Sequence, residues 1–444
     1  MRNKAGILFA FLLAFAQPSL AEDLLQVYRD AQKYDAVYFA ARRTLEAGRE
    51  KLPQGRALLL PNVTLTANAT RQHLVSEAHD PSATTLFFDR DVYARGYTLT
   101  FTQPLIRLQN LSQYGQAEFQ VKQAEAAFGQ ASQDLILRVA QAYFDVLAAQ
   151  DSLGLVRAQK AAISEQLAQA KRNFEVGTAT ITDTHEAQAR FDLSAAQEIA
   201  SQNDLESKRR ALQQFTGKEY AELKPLRADV KLAQPNPIDM QSWVDLAEKQ
   251  GYPVQIQDAA REIAALDLKR NYAAHLPTVD LVASRQYINQ TGTLTSSFGN
   301  DLTINTVGVQ LAMPLFQGGA LFSRDREAAA LAEKAKDDLD NARRSSALAT
   351  RQSYLSVING ITQVGALEQA KVSSQSALDS NKLGYEVGVR INIDVLNAQQ
   401  QLYSTERDLA VARYNTITNH LRLKAAAGSL VEPDLWEVNR ALQP

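Results

Sequence analysis

Hydrophobic and polar positions follow two different periods along this chain. After Pro61, apolar residues alternate with threonine and asparagine from Val63 to Thr70, and a second alternating run follows near Tyr97. A period of two is typical of a strand with two different faces. These runs predict a β-hairpin over residues 61–104, and matching runs predict another over 278–314, each with strands of roughly ten residues.

Outside the hairpins, apolar residues recur every three or four positions. The run from Phe128 to Phe174 keeps this spacing as a sustained heptad seam. Such a seam predicts coiled-coil packing of long helices. We expect one helix over about residues 108–174, a return helix over about 183–215, and an opening amphipathic helix over 22–55.

The chain is a duplication with an offset of 211 residues, the separation of Glu175 from Glu386. Around these residues Phe-Glu-Val-Gly in the first half corresponds to Tyr-Glu-Val-Gly in the second. Each half is therefore expected to fold alike. The predicted organisation is a first repeat over 22–217 (helix, β-hairpin 61–104, helical hairpin 107–216), a linker over 218–250, a second repeat over 251–428 (helix, β-hairpin 278–314, helical hairpin 317–427) and a C-terminal segment over 429–444.

Residues 1–21 have the features of a secretory signal peptide. Arg2 and Lys4 precede an apolar stretch, and Ser19-Leu20-Ala21 supplies small residues before the expected cleavage point. The chain has no cysteine, which excludes a lipoprotein, disulfides and thiolate metal sites. We expect export of the mature chain across a bacterial inner membrane.

Charge and motifs give no sign of an enzyme or of nucleic-acid binding. Lys and Arg number 47 against 49 Asp and Glu, a net charge of −2, so no electrostatic attraction to nucleic acid is expected. The five histidines are scattered, and no phosphate-binding loop or nucleophile motif occurs. We expect no catalytic residues, no metal site and no cofactor.

The number of strands predicts an oligomer. Two hairpins give four strands per chain, whereas closed membrane barrels have about eight or more. An open sheet in lipid would leave unpaired backbone groups at its edges. Several copies must then share one barrel, and multiples such as eight, twelve or sixteen strands all satisfy this argument.

Several motifs resemble those of the TolC family of outer-membrane efflux and secretion proteins. They are Leu60-Pro61 and Leu276-Pro277, the segment from Pro314 to Gly319, and the paired Val-Gly-(x)5-Asp turns that end in Asp183 and Asp394. The resemblance implies a mainly helical α+β fold. It also implies a homotrimer with a twelve-stranded outer-membrane β-barrel and a periplasmic α-helical coiled-coil tunnel, belted by equatorial segments near 218–250 and 431–444.

The same resemblance implies a function in the bacterial outer membrane. The chain would be the exit duct of a tripartite efflux pump, a type I secretion system, or both, conducting drugs or proteins passively. Its partners would be two further copies, outer-membrane lipid, a periplasmic adaptor, and an inner-membrane pump or ABC transporter. A trimeric surface scaffold or adhesin without channel activity is the alternative, and the transported cargo stays open.

The two Val-Gly turns differ in their polar residues, which bears on gating. Turn two has Tyr385, Arg390 and Asn397 where turn one has Phe, Ala and Glu. By resemblance, Tyr385 would hydrogen-bond Asp183, and Arg390 would contact Thr182 and a neighbour's Asp183. These residues would form a periplasmic gate with a ring of Asp394.

Asn397 departs from the family pattern, because the family has aspartate there. The departure implies a weaker preference for cations at the ring. Gly177 and Gly388 would mark the tips that meet the adaptor.

Overall fold

A computed structural model describes residues 21–78, 86–227, 230, 232–293, 296 and 298–443. Residues 1–20, which hold nearly all of the expected signal peptide, lie outside the described residues. The elements in chain order are α1 Leu24–Gln32, α2 Ala36–Arg49, α3 Lys51–Ala57, β1 Asn62–Ala78, β2 Leu86–Ile106, α4 Leu108–Glu175, α5 Ile181–Thr216, α6 Met240–Gln250, α7 Tyr252–Ala273, β3 Thr278–Gln290, β4 Asn300–Ala312, α8 Ala320–Glu386, α9 Asn392–Ala426 and α10 Glu432–Arg440.

The two strand hairpins join in one antiparallel sheet with the order β1-β2-β3-β4. Strands β3 and β4 have 13 residues each, near the expected length. Strands β1 and β2 are longer, with 17 and 21 residues. Polar cross-strand pairs extend this hairpin beyond its alternating part, and Arg71 donates to Asp91 at 2.7 Å.

The two faces of the sheet differ in chemistry. Directly paired residues share a face, so the register places Val63, Phe101, Ala283 and Val307 in one row. The next row toward the strand tips, on the opposite face, is uncharged and polar and consists of Thr64, Thr100, Ser284 and Thr306. An apolar row on one face next to an uncharged polar row on the other is the pattern of strands between lipid and an aqueous lumen.

The opening segment is not one helix, so that prediction is wrong. It breaks after Gln32 and again at Glu50, which gives α1, α2 and α3. The Asp35 carboxylate accepts from the Tyr38 backbone N–H at 2.6 Å and caps the start of α2. Arg138 of α4 also donates two hydrogen bonds to the Asp35 carboxylate, of 2.8 and 3.1 Å. A cap and an ion pair at one residue favour a break that the apolar periodicity does not reveal.

The predicted long helix is confirmed by α4, which has 68 residues. Most of its expected seam is buried, including Leu135, Val139 and Val146 at 1% exposure or less. This stretch packs against the apolar side of α1, where Leu24 and Val27 are fully buried. Phe174 at the end of the seam is instead 43% exposed, because it lies at the hairpin tip.

The described chain forms two compact units. The first combines the described parts of Met1–Phe39, Ala131–Leu246 and Leu348–Pro444. Its core includes Tyr143, whose hydroxyl donates to the backbone carbonyls of Glu22 and Lys224 at 3.2 and 2.8 Å. Tyr143 thereby joins the residues just before α1 to the segment between α5 and α6.

The second unit comprises Ala40–Gln130 and Ala247–Ala347, and it contains the sheet. At the base of the sheet, Arg107 pairs with Asp280 through two hydrogen bonds. Between α4 and α7, the Gln116 side chain donates to Asp267 at 3.1 Å. Both units draw on the two sequence halves, and the predicted repeat boundaries stay a prediction.

None of the helices over the described residues combines the length and the apolar composition that spanning a membrane requires.

Candidate functional site

The turns that end the helical hairpins have the same backbone geometry in both halves. Gly177 and Gly388 follow α4 and α8 with φ of +77° and +78°. This left-handed conformation favours glycine, and it closes both helices in the same way. The N–H of Thr178 donates to Asn173 at 2.8 Å, and that of Val389 donates to Gly384 at 2.9 Å. At the tips, the duplication is therefore present in the backbone structure as well as in the amino-acid sequence.

The first tip uses Asp183 to start the return helix. Thr180 and Asp183 form a capping box at the N-terminus of α5. The Asp183 carboxylate accepts from the Thr180 hydroxyl at 2.7 Å and from its backbone N–H at 2.9 Å. Thr182 is exposed beside it. The Asp183 carboxylate is thus hydrogen-bonded within its own turn in this conformation.

The second tip holds Arg390 and Asp394 together. The Arg390 guanidinium lies 3.8 Å from the Asp394 carboxylate, and both side chains are partly solvated. Asn397 lies one helical turn further along α9, at i,i+3 from Asp394. This places a cation, a carboxylate and an amide on adjoining positions at the start of α9.

The two helical hairpins meet through polar contacts near their tips. The Asn173 amide of α4 donates to the Tyr385 hydroxyl of α8 at 3.2 Å. Arg190 of α5 donates to the Gln400 side chain at 2.7 Å and to the Asn397 side chain at 3.0 Å, both on α9. These contacts join α4 to α8 and α5 to α9.

In this conformation of the single chain, Tyr385 and Arg390 make contacts other than the predicted ones, and the predicted gate contacts stay a prediction. Tyr385 bonds Asn173 rather than Asp183, since Asp183 is engaged in the capping box. Arg390 pairs with Asp394 instead of Thr182. The six predicted gate residues still lie in the two turns and their first helical turns, but the contacts between the hairpins use different side chains.

Sequence reasoning missed Asn173, Arg190 and Gln400. The comparison of the two halves covers Phe174–Gly177 and Asp183 to Gln188 of the first half. Extended by one residue upstream, it would have set Asn173 against Gly384, and downstream it would have set Arg190 against Gln401. At both positions the more polar residue lies in the first half, whereas Tyr385 and Arg390 lie in the second.

Each hairpin tip has its own small apolar cluster. Leu167, Ala170 and Ala187 pack with Phe191 in the first hairpin. Leu378, Val395 and Leu402 pack with Tyr385 and Ala398 in the second. Because each cluster lies within one hairpin, relative movement of the hairpins would keep this apolar burial and change mainly polar contacts.

Buried polar atoms at the tips lack partners among the described residues. They include Asn392 Nδ2 and Gln399 Oε1 on α9, whose residues are 2% and 4% exposed. Thr184 Oγ1 at the start of α5 belongs to the same group. An unpaired buried polar atom costs about 1–3 kcal/mol. The observed packing of the tips is therefore less stable than packing in which every buried polar atom has a hydrogen-bond partner.

The described residues contain no group of three or more His, Asp or Glu side chains able to hold a metal ion.

The family model described as outer membrane efflux protein matches residues 9–218 and 254–429. Outer membrane protein TolC of Vibrio cholerae is 32% identical over 426 residues, covering 95% of this chain and 94% of the relative. Alkaline protease secretion protein AprF of Pseudomonas aeruginosa is 34% identical over 448 residues, covering 98% and 90%.

A solved structure supports the fold independently of close sequence similarity. The outer membrane protein VceC of Vibrio cholerae superposes with a TM-score of 0.77 and 21% identity, covering 91% of this chain and 96% of that one. The predicted mainly helical α+β fold is confirmed.

Proposed function

Because this chain belongs to the outer membrane efflux protein family, we propose that three copies of it share one closed barrel and one helical tunnel. The chain lies in the bacterial outer membrane with a periplasmic extension, and it is an exit duct for efflux and type I secretion. The family consists of transport ducts rather than enzymes.

The sheet is the observation that carries the trimer proposal. One of its faces carries apolar rows and the other is rich in threonine, and β1 and β4 form its two open edges. Unpaired edge groups in lipid cost several kcal/mol each, so pairing between copies is strongly favoured. Three copies give twelve strands, enough to enclose an aqueous lumen lined by the threonine-rich face.

We further propose that the hairpin tips form the gate of this duct. The predicted gate residues are Thr182, Asp183, Tyr385, Arg390, Asp394 and Asn397. The contacts of Asn173 and Arg190 add two links between the hairpins. Solvated polar links contribute about 1 kcal/mol each, and the apolar clusters need not be broken. A partner that binds only the separated tips can therefore open the duct.

Arg190 is also expected to set the ion preference of the gate. It places a positive charge beside Asn397, one helical turn from Asp394, so it offsets the field of that carboxylate. Arg190→Gln should raise the potassium-to-chloride permeability ratio about twofold, measured as reversal potential across a salt gradient. Arg190→Lys keeps the charge and should leave the ratio unchanged. Equal ratios in all three proteins would show that Arg190 does not face the ion path.

The partners proposed are a periplasmic adaptor at the tips and an inner-membrane pump or ABC transporter behind it. The tips offer exposed apolar side chains, since Val176 is 72% and Val387 64% exposed. Gly177 and Gly388 lie beside them and fix the turn geometry. Energy and choice of cargo would come from the inner-membrane component, because the duct itself carries no predicted catalytic site.

Adaptor docking can be tested by site-directed cross-linking, since the chain has no cysteine. Val176→Cys and Val387→Cys, labelled with a short photo-cross-linker in living cells, should each yield an adduct with a periplasmic adaptor identified by mass spectrometry. Leu331→Cys in α8, 51% exposed, is the matched control and should give no such adduct. Adducts of the tip variants with other copies of this chain alone would contradict adaptor docking.

A further inference from the structure

The face of the sheet with the apolar rows, which the proposed barrel turns toward lipid, also carries an arginine. The register aligns Arg285 with Leu65, Leu99 and Asn305 across the four strands. The neighbouring row toward the helices is wholly apolar and contains Phe101. Arg285 is exposed on this face.

Arg285 makes no ion pair or side-chain hydrogen bond with any residue that the structure describes. An arginine on the lipid face of a barrel is strongly unfavourable at the bilayer midplane and nearly without cost at the interface. The long side chain can reach the headgroup level. The charge therefore requires an anionic partner or water from the membrane surface.

Aromatic residues place Arg285 close to that surface. The next row toward the strand tips contains Tyr97 and Tyr287, whose ring centroids are 5.6 Å apart. Tyrosines on the lipid face concentrate at the interface between hydrocarbon and headgroups. The strands connect to helices at the opposite end, so this interface is the outer one.

A second arginine stands beyond the tyrosine row. Arg95 is exposed and uses its Nε to donate to Asn289 at 3.1 Å, which leaves its two terminal nitrogens for another acceptor. Asp301, in the same row, accepts from Tyr287 at 3.1 Å and from Asn289 at 2.6 Å. Arg95 and Arg285 thus flank the two tyrosine rings from above and below.

We propose that Arg285 and Arg95 bind the phosphate groups of anionic lipids in the outer leaflet of the outer membrane. A guanidinium matches two phosphate oxygens with parallel hydrogen bonds, and the tyrosine rings fit beside the adjoining acyl chains. A lipid with two phosphates on one headgroup suits two arginines separated by one row. The bound lipid would cover this face of the sheet in each chain and fix the depth of the sheet in the membrane.

The test is native mass spectrometry of the intact purified protein titrated with bisphosphorylated lipid A. Arg285→Gln should weaken lipid A binding about tenfold, whereas Arg285→Lys should retain most of it. Arg71→Gln is the matched control, because Arg71 lies on the same face but is already paired with Asp91. It should change binding less than twofold.

Two further arms use the unmodified protein, so a folding defect in a variant cannot obscure the result. Dephosphorylated lipid A should bind about tenfold more weakly than the phosphorylated form, and millimolar inorganic phosphate should not compete. Equal binding of both lipids, or equal binding by Arg285→Gln and Arg71→Gln, would overturn the proposal. Full competition by inorganic phosphate would assign the arginines to free phosphate and would also overturn it.

Discussion

Changing Tyr385 to Phe together with Arg390 to Ser is expected to raise the resting conductance of the membrane-inserted protein several-fold. Tyr385→Phe removes the hydroxyl that accepts from Asn173, and Arg390→Ser removes the cation facing Asp394. The Asn173–Tyr385 hydrogen bond joins the two hairpins, and the gate proposal gives Arg390 a further contact with Thr182. Loss of both is expected to weaken the closed tip by about 2 kcal/mol per chain. A shift of that size alters an open–closed equilibrium roughly thirtyfold, so openings should become both larger and more frequent.

The conductance of single inserted molecules, compared at the same voltage and salt, measures this effect. Tyr34→Phe with Arg344→Ser is a matched double variant, because both residues are well exposed and lie outside the two turns. It should conduct like the unmodified protein. If the Tyr385/Arg390 variant also conducted at the unmodified level, the gate would have to lie elsewhere.

Asp35→Asn is expected to lower the thermal stability of the helical unit substantially. Asp35 is 5% exposed and pairs with two nitrogens of Arg138, whose guanidinium also lies 5.3 Å from the Phe215 ring. Asparagine keeps the cap on α2 but leaves the Arg138 charge without its counterion. Loss of one partner of a buried pair costs about 3 kcal/mol, which corresponds to a fall in Tm of about 5 °C.

The pH dependence of this effect has a defined sign. Burial alone would raise the pKa of Asp35, but hydrogen bonds from Arg138 and Tyr38 outweigh it and lower the pKa below its ordinary value. A lowered pKa in the folded state gives stability above the unfolded pKa of about 3.9, and this stability is lost as the pH falls through the folded value. The Tm difference between Asp35→Asn and the unmodified protein should therefore be full at pH 7 and shrink below about pH 4.

Circular dichroism at 222 nm during heating gives both Tm values. Glu46→Gln is the control, because the Arg43–Glu46 pair is solvated and such pairs contribute little. A drop for Asp35→Asn no larger than that of Glu46→Gln would show that the Asp35–Arg138 pair does not stabilise the unit.

Long periodic elements could be predicted from the sequence because their burial is regular. Residues such as Leu135 and Val139 repeat at coiled-coil spacing, and α4 follows that seam closely. The break at Asp35 escaped prediction because it depends on Arg138, about a hundred positions away in the chain. The extra length of β1 could not be predicted for a similar reason. It depends on polar contacts between strands, such as Arg71 with Asp91.

The candidate site could be located from sequence but its contacts could not. The duplicated turns gave the positions of Gly177 and Gly388 because a left-handed backbone requires a particular residue type. Which polar side chains meet depends on how the helices lie against each other, and Arg190 reaches Asn397 across more than two hundred residues. Periodicity within one segment carries no information about such a contact.

The most direct test of the duct is single-channel recording of the unmodified, detergent-extracted protein in a planar bilayer without any energy source. We expect small, steady ionic currents from each inserted molecule, which a passive and mostly closed duct would give. Protein that is demonstrably inserted yet leaves the bilayer silent, even after the Tyr385/Arg390 substitutions, would contradict the account and favour a surface scaffold.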